Sequence, residues 1–125
     1  KTLFPYTTLF RSQIGVLFGS EGGDDAIGRD VAMHIAAFAP SVLTRDEIDP
    51  ATVEHERKVA EETAKEEGKP EAALPKIIEG RVNGFFKEAV LLEQAFAKDA
   101  KKSVQKVLDE AGATARGFAR FRVGA

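Results

Sequence analysis

The stretch that most constrains how this chain can fold is DAIGRDVAMHIAAF, residues 25–38. Ile27, Val31, Ile35 and Phe38 recur at intervals of four, four and three, which puts them on one side of a helix. Ala32, Ala36 and Ala37 broaden that stripe and let neighbouring backbones come close. Only Arg29 and Asp30 are charged between Ala26 and Pro40, so the helix has little polar face and is expected to be mostly buried. Pro40 ends it. Ahead of it, Gln13 to Phe18 reads as a short strand. Ile14, Val16 and Phe18 take one face, and Gly15 and Leu17 the other, so cover on both faces is open to it.

A helix of that kind needs a core around it. The chain has 125 residues, of which 43% are hydrophobic and 30% charged, ordinary values for one compact domain. Eighteen basic and 20 acidic residues leave a net charge of -2, which argues against a nucleic-acid binder relying on a strongly cationic surface. There is no cysteine, so disulfides and thiolate metal sites are excluded. Every apolar run falls far short of the ~20 residues that span a bilayer.

Around the central pair, Gly19 to Gly23 forms a glycine-rich link, with Asp24 as N-cap of the helix. A phosphate-binding reading of this link finds neither GxGxxG nor GxxxxGK[ST], and Glu21, Asp24 and Asp25 would repel a phosphate. Thr44 and Glu47 have capping-box spacing. Asp49 and Pro50 open a charged helix that runs to about Glu67 and stops at Gly68. Lys69-Pro70 turns the chain, and Glu71 to Ala89 returns. Its Leu74, Ile77, Ile78, Arg81, Val82, Phe85, Phe86 and Ala89 keep helical spacing, with Pro75 starting or kinking the first turn. The two make an antiparallel hairpin. Leu91 to Ala100 reads as a loop with one apolar anchor, Phe96. Lys101 to Ala111 reads as an amphipathic helix. Ala115 to Val123 alternates as a strand, with Ala119, Phe121 and Val123 on one face and Arg116, Phe118, Arg120 and Arg122 on the other. Its natural partner is Ile14 to Phe18.

The fold class expected is therefore α+β, a small antiparallel sheet packed against helices, with a projecting antiparallel helical hairpin. Chemistry is hard to find in it. His34 and His55 lie on different helices, and His34 reads as a satisfied histidine at the core edge. HExxH, a calcium loop and GxSxG are all missing. The carboxylates between Glu54 and Glu71 sit on a solvated helix. No cofactor and no metal is expected, and the chain reads as a binder more than a catalyst.

Several segments add to this when taken together. IGVLF, DVAMHIAAFAP, LTRDEID, EGKPE, IIEGRVNGFFKE, LLEQAFAKD, SVQKVLDEAG and GFARFRVG follow one another in an order and spacing that resembles translation elongation factor Ts. The likeness covers residues 13–125, the second half of that family's core with its helical hairpin, an insertion at about residues 50–89. It implies a cytoplasmic exchange factor (organelle matrix in a eukaryote). Such a protein binds elongation factor Tu to promote GDP/GTP exchange, without covalent catalysis and without direct nucleic-acid or membrane contact. The family's QPFVKDP loop, which touches the β-barrel part of elongation factor Tu, is similar to Gln94-Ala95-Phe96-Ala97-Lys98-Asp99-Ala100 here. Gln94, Phe96, Ala97, Lys98 and Asp99 are accordingly the expected partner-binding residues. Phe96 is either the exposed anchor of that contact or tucked into the chain's own core.

Both prolines of that loop are alanine in this chain, which implies a more mobile loop and weaker binding. Glu79-Gly80-Arg81 matches the family's EGR at the hairpin base. The family's N-terminal module and the TDF-type segment, which disturbs the GTPase domain, have no match. Lys1 to Ser12 does not match the family's usual upstream strand beyond Tyr6. It reads as foreign or artefactual sequence, able at most to form an edge strand beside Ile14 to Phe18. Two other readings stand beside the resemblance: a helical-hairpin adaptor unrelated to translation, and a small phosphate-binding α/β enzyme resting on Gly19 to Gly23.

Overall fold

A computed structural model of the chain describes residues 3–10 and 14–122. The strands β1 (Leu3–Phe10) and β2 (Ile14–Gly22) come first, followed by the helix α1 (Asp25–Phe38). Asp24 caps α1 by accepting the Ile27 amide at 2.9 Å. Ala39 closes it in a left-handed conformation, φ 46°, with its N–H on the Ile35 carbonyl at 3.0 Å. Val31, Ala32, Ile35 and Ala36 are buried along the expected stripe, joined by Gly28 and His34. Phe38 is the exception. It is 54% exposed although Ile35 and Ala36 of the same turn are buried, and its ring lies on His34 at 4.8 Å.

β2 is the centre of a three-stranded antiparallel sheet, flanked by β1 and by β5 (Ala113–Arg122). β1 pairs along it from Leu3 opposite Glu21 to Phe10 opposite Ile14, so this stretch does occupy an edge-strand position. Residues 1, 2 and 11–13 of the amino-terminal segment, and Val123, lie outside the described residues. On the other side Phe18 faces Phe118 and Val16 faces Arg120, as expected from the two alternating runs.

β2 is longer than its hydrophobic run suggested, since Gly19 to Gly22 continue the ladder after a bulge at Gly19/Ser20. At Gly22 (φ 75°) a Cβ would run into the Gly112 carbonyl, so only glycine lets the two strands close there. Only one face of the sheet is covered. Val16, Phe18 and Ser20 are buried, whereas Leu17 and Phe121 on the opposite face are 43% and 61% exposed.

The covered face packs against α1 and α4 (Val104–Glu110). Val16, Phe18, Val31, Ile35, Val104 and Leu108 form its centre, and full burial of each such side chain contributes about 1.5–3 kcal/mol. Arg120 reaches from β5 to the Ala36 carbonyl at 3.1 Å, which satisfies an acceptor in the last turn of α1.

Between α1 and α4 stand α2 (Pro50–Glu66) and α3 (Leu74–Ala89), which pack on each other. Asp49 caps α2 through the Ala51 amide at 2.9 Å, with Pro50 at the start of the helix. The buried residues of the pair, Ala60, Ala64, Leu74, Val82 and Ala89, stand apart from the main core. Glu71–Ala73 is a 3-10 turn, so α3 begins at Leu74 and not at Glu71, and Pro75 sits in its first turn where it interrupts nothing.

The base of α3 is tied to the domain by backbone. The Ser41 amide donates to the Ala89 carbonyl at 2.8 Å and the Leu91 amide to the Val42 carbonyl at 2.8 Å. The capping-box spacing is also realised: the Glu47 carboxylate accepts the Thr44 amide at 3.0 Å.

Candidate functional site

Residues 91–100 are not the irregular loop that their lost periodicity suggested. A 3-10 turn, Leu91–Glu93, leads into a hairpin of β3 (Ala95–Phe96) and β4 (Asp99–Ser103), with Ala97 and Lys98 at its tip. The β4 strand takes Lys101 to Ser103, which composition assigned to the next helix. Ser103 is in fact the N-cap of α4, its hydroxyl accepting the Lys106 amide at 3.2 Å.

The five expected binding residues divide by depth. Phe96 is 5% exposed and belongs to the main core, and Gln94 is likewise 5% exposed. Ala97 and Lys98 are exposed, and Asp99 is half-buried. An exposed aromatic anchor is therefore not what this hairpin offers; of the two positions open to Phe96, it takes the inner one. The tip presents Ala97 and Lys98, backed by the buried Gln94 and Phe96. Lys98 pairs with Asp30 of α1 at 2.7 Å, yet its side chain stays 67% exposed, so the pair is a weak surface contact. Asp99 accepts the Lys101 amide at 3.2 Å, which shapes the start of β4.

What holds the hairpin from behind is His34, completely buried and satisfied at both nitrogens. Its Nε2 lies 2.7 Å from Gln94 Oε1, and its Nδ1 accepts the Ala97 amide at 3.1 Å. Gln94 in turn donates from Nε2 to the Glu88 carbonyl at 2.7 Å. The ring stacks between Phe38 and Phe96, at 4.8 and 5.9 Å. Burial pushes the His34 imidazole below its ordinary 6.5, with the Gln94 hydrogen bond opposing part of that shift. His34 read in sequence as a satisfied core-edge residue, but its link to the hairpin was not legible. Sixty residues separate it from Gln94.

The other candidate chemistry dissolves. Glu21 of the glycine-rich link lies in β2, paired with Arg116 at 2.9 Å, and Ser20 is buried. Asp24 occupies a donor that a phosphate at the start of α1 would need. Among the described residues no group of three His, Cys, Asp or Glu is placed to hold a metal ion, and no helix is long and apolar enough to cross a membrane. His55 is exposed on α2. Arg45, at the base of α3, forks onto Glu93 at 2.6 Å and lies over the Phe86 ring at 4.2 Å. That contact fixes the turn leading into the hairpin.

Fold and site together define an α+β domain that offers a buttressed β-hairpin as its candidate contact surface. The family model for elongation factor Ts matches residues 5–125, and the chain belongs to that family. It is 62% identical over 112 residues to elongation factor Ts of Streptomyces griseus subsp. griseus, a match covering 90% of this chain and 40% of that protein. Against elongation factor Ts of Pseudarthrobacter chlorophenolicus it is 60% identical over 116 residues, or 90% of this chain and 42% of the relative. The figure for Acidothermus cellulolyticus is 61% over 112 residues, 90% and 41%. The chain thus spans about two fifths of the length of the curated relatives it matches.

Proposed function

We propose that this chain is the docking portion of an elongation factor Ts and that it binds elongation factor Tu through the hairpin of residues 94–99. Ala97, Lys98 and Asp99 touch the partner, while Gln94 and Phe96 hold the tip from inside. One observation carries the reading: within a chain of this family, the hairpin exposes Ala97 and Lys98 and buries Gln94 and Phe96, which precede them. A contact surface that is already ordered loses little entropy on binding.

The protein works without covalent catalysis, in the cytoplasm, and without direct contact to nucleic acid or membrane. Residues 13–125 are its core-type domain, with the hairpin of about residues 50–89 as an insertion. We propose a foreign origin for residues 1–12, although the family match begins at residue 5 and β1 serves as the sheet's edge. The genomic reading frame upstream of Gln13 tests that origin; a frame continuing as KTLFPYTTLFRS would refute it.

Docking is tested by titrating elongation factor Tu with the chain and with Lys98→Ala. The Lys98–Asp30 pair is exposed, so its removal changes stability by less than about 1 kcal/mol. Affinity is expected to fall about tenfold, equivalent to ~1.4 kcal/mol. Unchanged affinity would move the contact elsewhere. A helical-hairpin adaptor unrelated to translation would show no binding at all.

A further inference from the structure

We propose that His34 is the positioning residue of the docking hairpin: its neutral ring, protonated on Nε2 alone, clamps the tip, and a second proton opens the clamp. The inference rests on the docking reading above and deepens it.

The direction of every hydrogen bond follows from one end. The Glu88 carbonyl can only accept, so the Gln94 amide nitrogen points to it and Gln94 Oε1 is turned toward His34. An oxygen at 2.7 Å requires the proton on His34 Nε2. The Nδ1 atom is then bare, as the Ala97 amide demands, because a backbone N–H can only donate. A directed chain therefore runs from the Ala97 amide through the imidazole and the Gln94 side chain to the end of α3. Stacking between Phe38 and Phe96 keeps the ring in its plane.

A second proton would go on Nδ1 and set two donors against each other at 3.1 Å. The Ala97 bond must then break, and the tip is freed. The charged groups around the ring are Asp30 and Lys98, paired with each other, Asp99 of β4, Glu93 beside Gln94, and Lys87 and Glu88 at the end of α3. Both ring nitrogens are taken by Gln94 and Ala97, so none of these carboxylates is hydrogen-bonded to the ring.

Burial holds the folded midpoint below 6.5, so the unfolded chain takes the proton first as pH falls. The contribution of His34 to stability is whole above pH 6.5 and is lost as pH drops from there through the folded midpoint.

The test is a pH titration of the full chain by NMR, following the imidazole nitrogens and the backbone amides. The nitrogen shifts should report the Nε2–H tautomer, and the Ala97 amide should move with the His34 midpoint while the amides of α2 do not. An Nδ1–H tautomer, or an Ala97 amide indifferent to the midpoint, would overturn the clamp. In Ala97→Pro the donor is gone while the first central position of the turn still accepts proline, so the His34 midpoint should rise. A midpoint that stays or falls counts against the clamp.

Titration with elongation factor Tu at pH 7.5 then tests positioning. His34→Gln puts its amide where Nε2 stood, which keeps a donor for Gln94 but leaves the Nδ1 position facing Ala97 without an acceptor, and should bind at least fivefold more weakly. Equal binding by the variant would overturn the positioning role. Absent binding by the wild-type chain, with the clamp intact by NMR, would fault the docking reading instead and leave the clamp without that function.

Discussion

Phe96 shows how one residue changes the account. In sequence it is a lone aromatic between charged helices, a usual setting for an interface anchor. In the structure it is buried with Ile35, Leu91, Val104 and Leu108, and its ring faces His34. Phe96→Ala is therefore expected to destabilise the fold by about 3–5 kcal/mol in urea unfolding, and only through that to weaken binding. A variant that melts normally yet binds weakly would restore the exposed-anchor reading. Burial at this position was not legible because β3 is two residues long and too short to show a period. Phe38 failed in the opposite sense. It keeps helical spacing with Ile35 and Val31, but spacing cannot show where the covering layer stops, and its side chain remains exposed.

Among the elements, α1 and the β2–β5 pairing were legible because their patterns are long and their caps explicit. Asp24, Asp49 and Glu47 each bond where the capping rules place them. The β3–β4 hairpin was not legible. Lys101 and Lys102 carry no strand preference, and only pairing with the two-residue β3 makes a strand there. The α2–α3 pair shows how small residues carry packing on a charged helix. Ala64 is fully buried on α2, and a larger side chain there has no vacant volume. Ala64→Leu is expected to destabilise the chain by about 1–3 kcal/mol, measured by denaturant midpoint. Neutrality would show that the two helices are loosely joined.

At the scale of the molecule, the covered face of the sheet gives one core, and the β3–β4 hairpin is tied to it through Phe96, Gln94 and His34. What the family resemblance added, and no periodicity could, is the partner proposed above. An exchange factor accelerates release only by binding the empty GTPase more tightly than the loaded one. On the proposed docking reading, a hairpin that meets the same surface of its partner in either nucleotide state does not distinguish the two states. Similar affinity for both states shifts nothing, however tight it is. Docking and exchange are therefore expected to separate.

The most direct test is stopped-flow release of a fluorescent GDP from elongation factor Tu, with this chain at a concentration shown by titration to saturate binding. The expected result is release at the unassisted rate from a fully formed complex. Acceleration of tenfold or more, about 1.4 kcal/mol off the barrier, would contradict the account and place exchange within this half of the molecule.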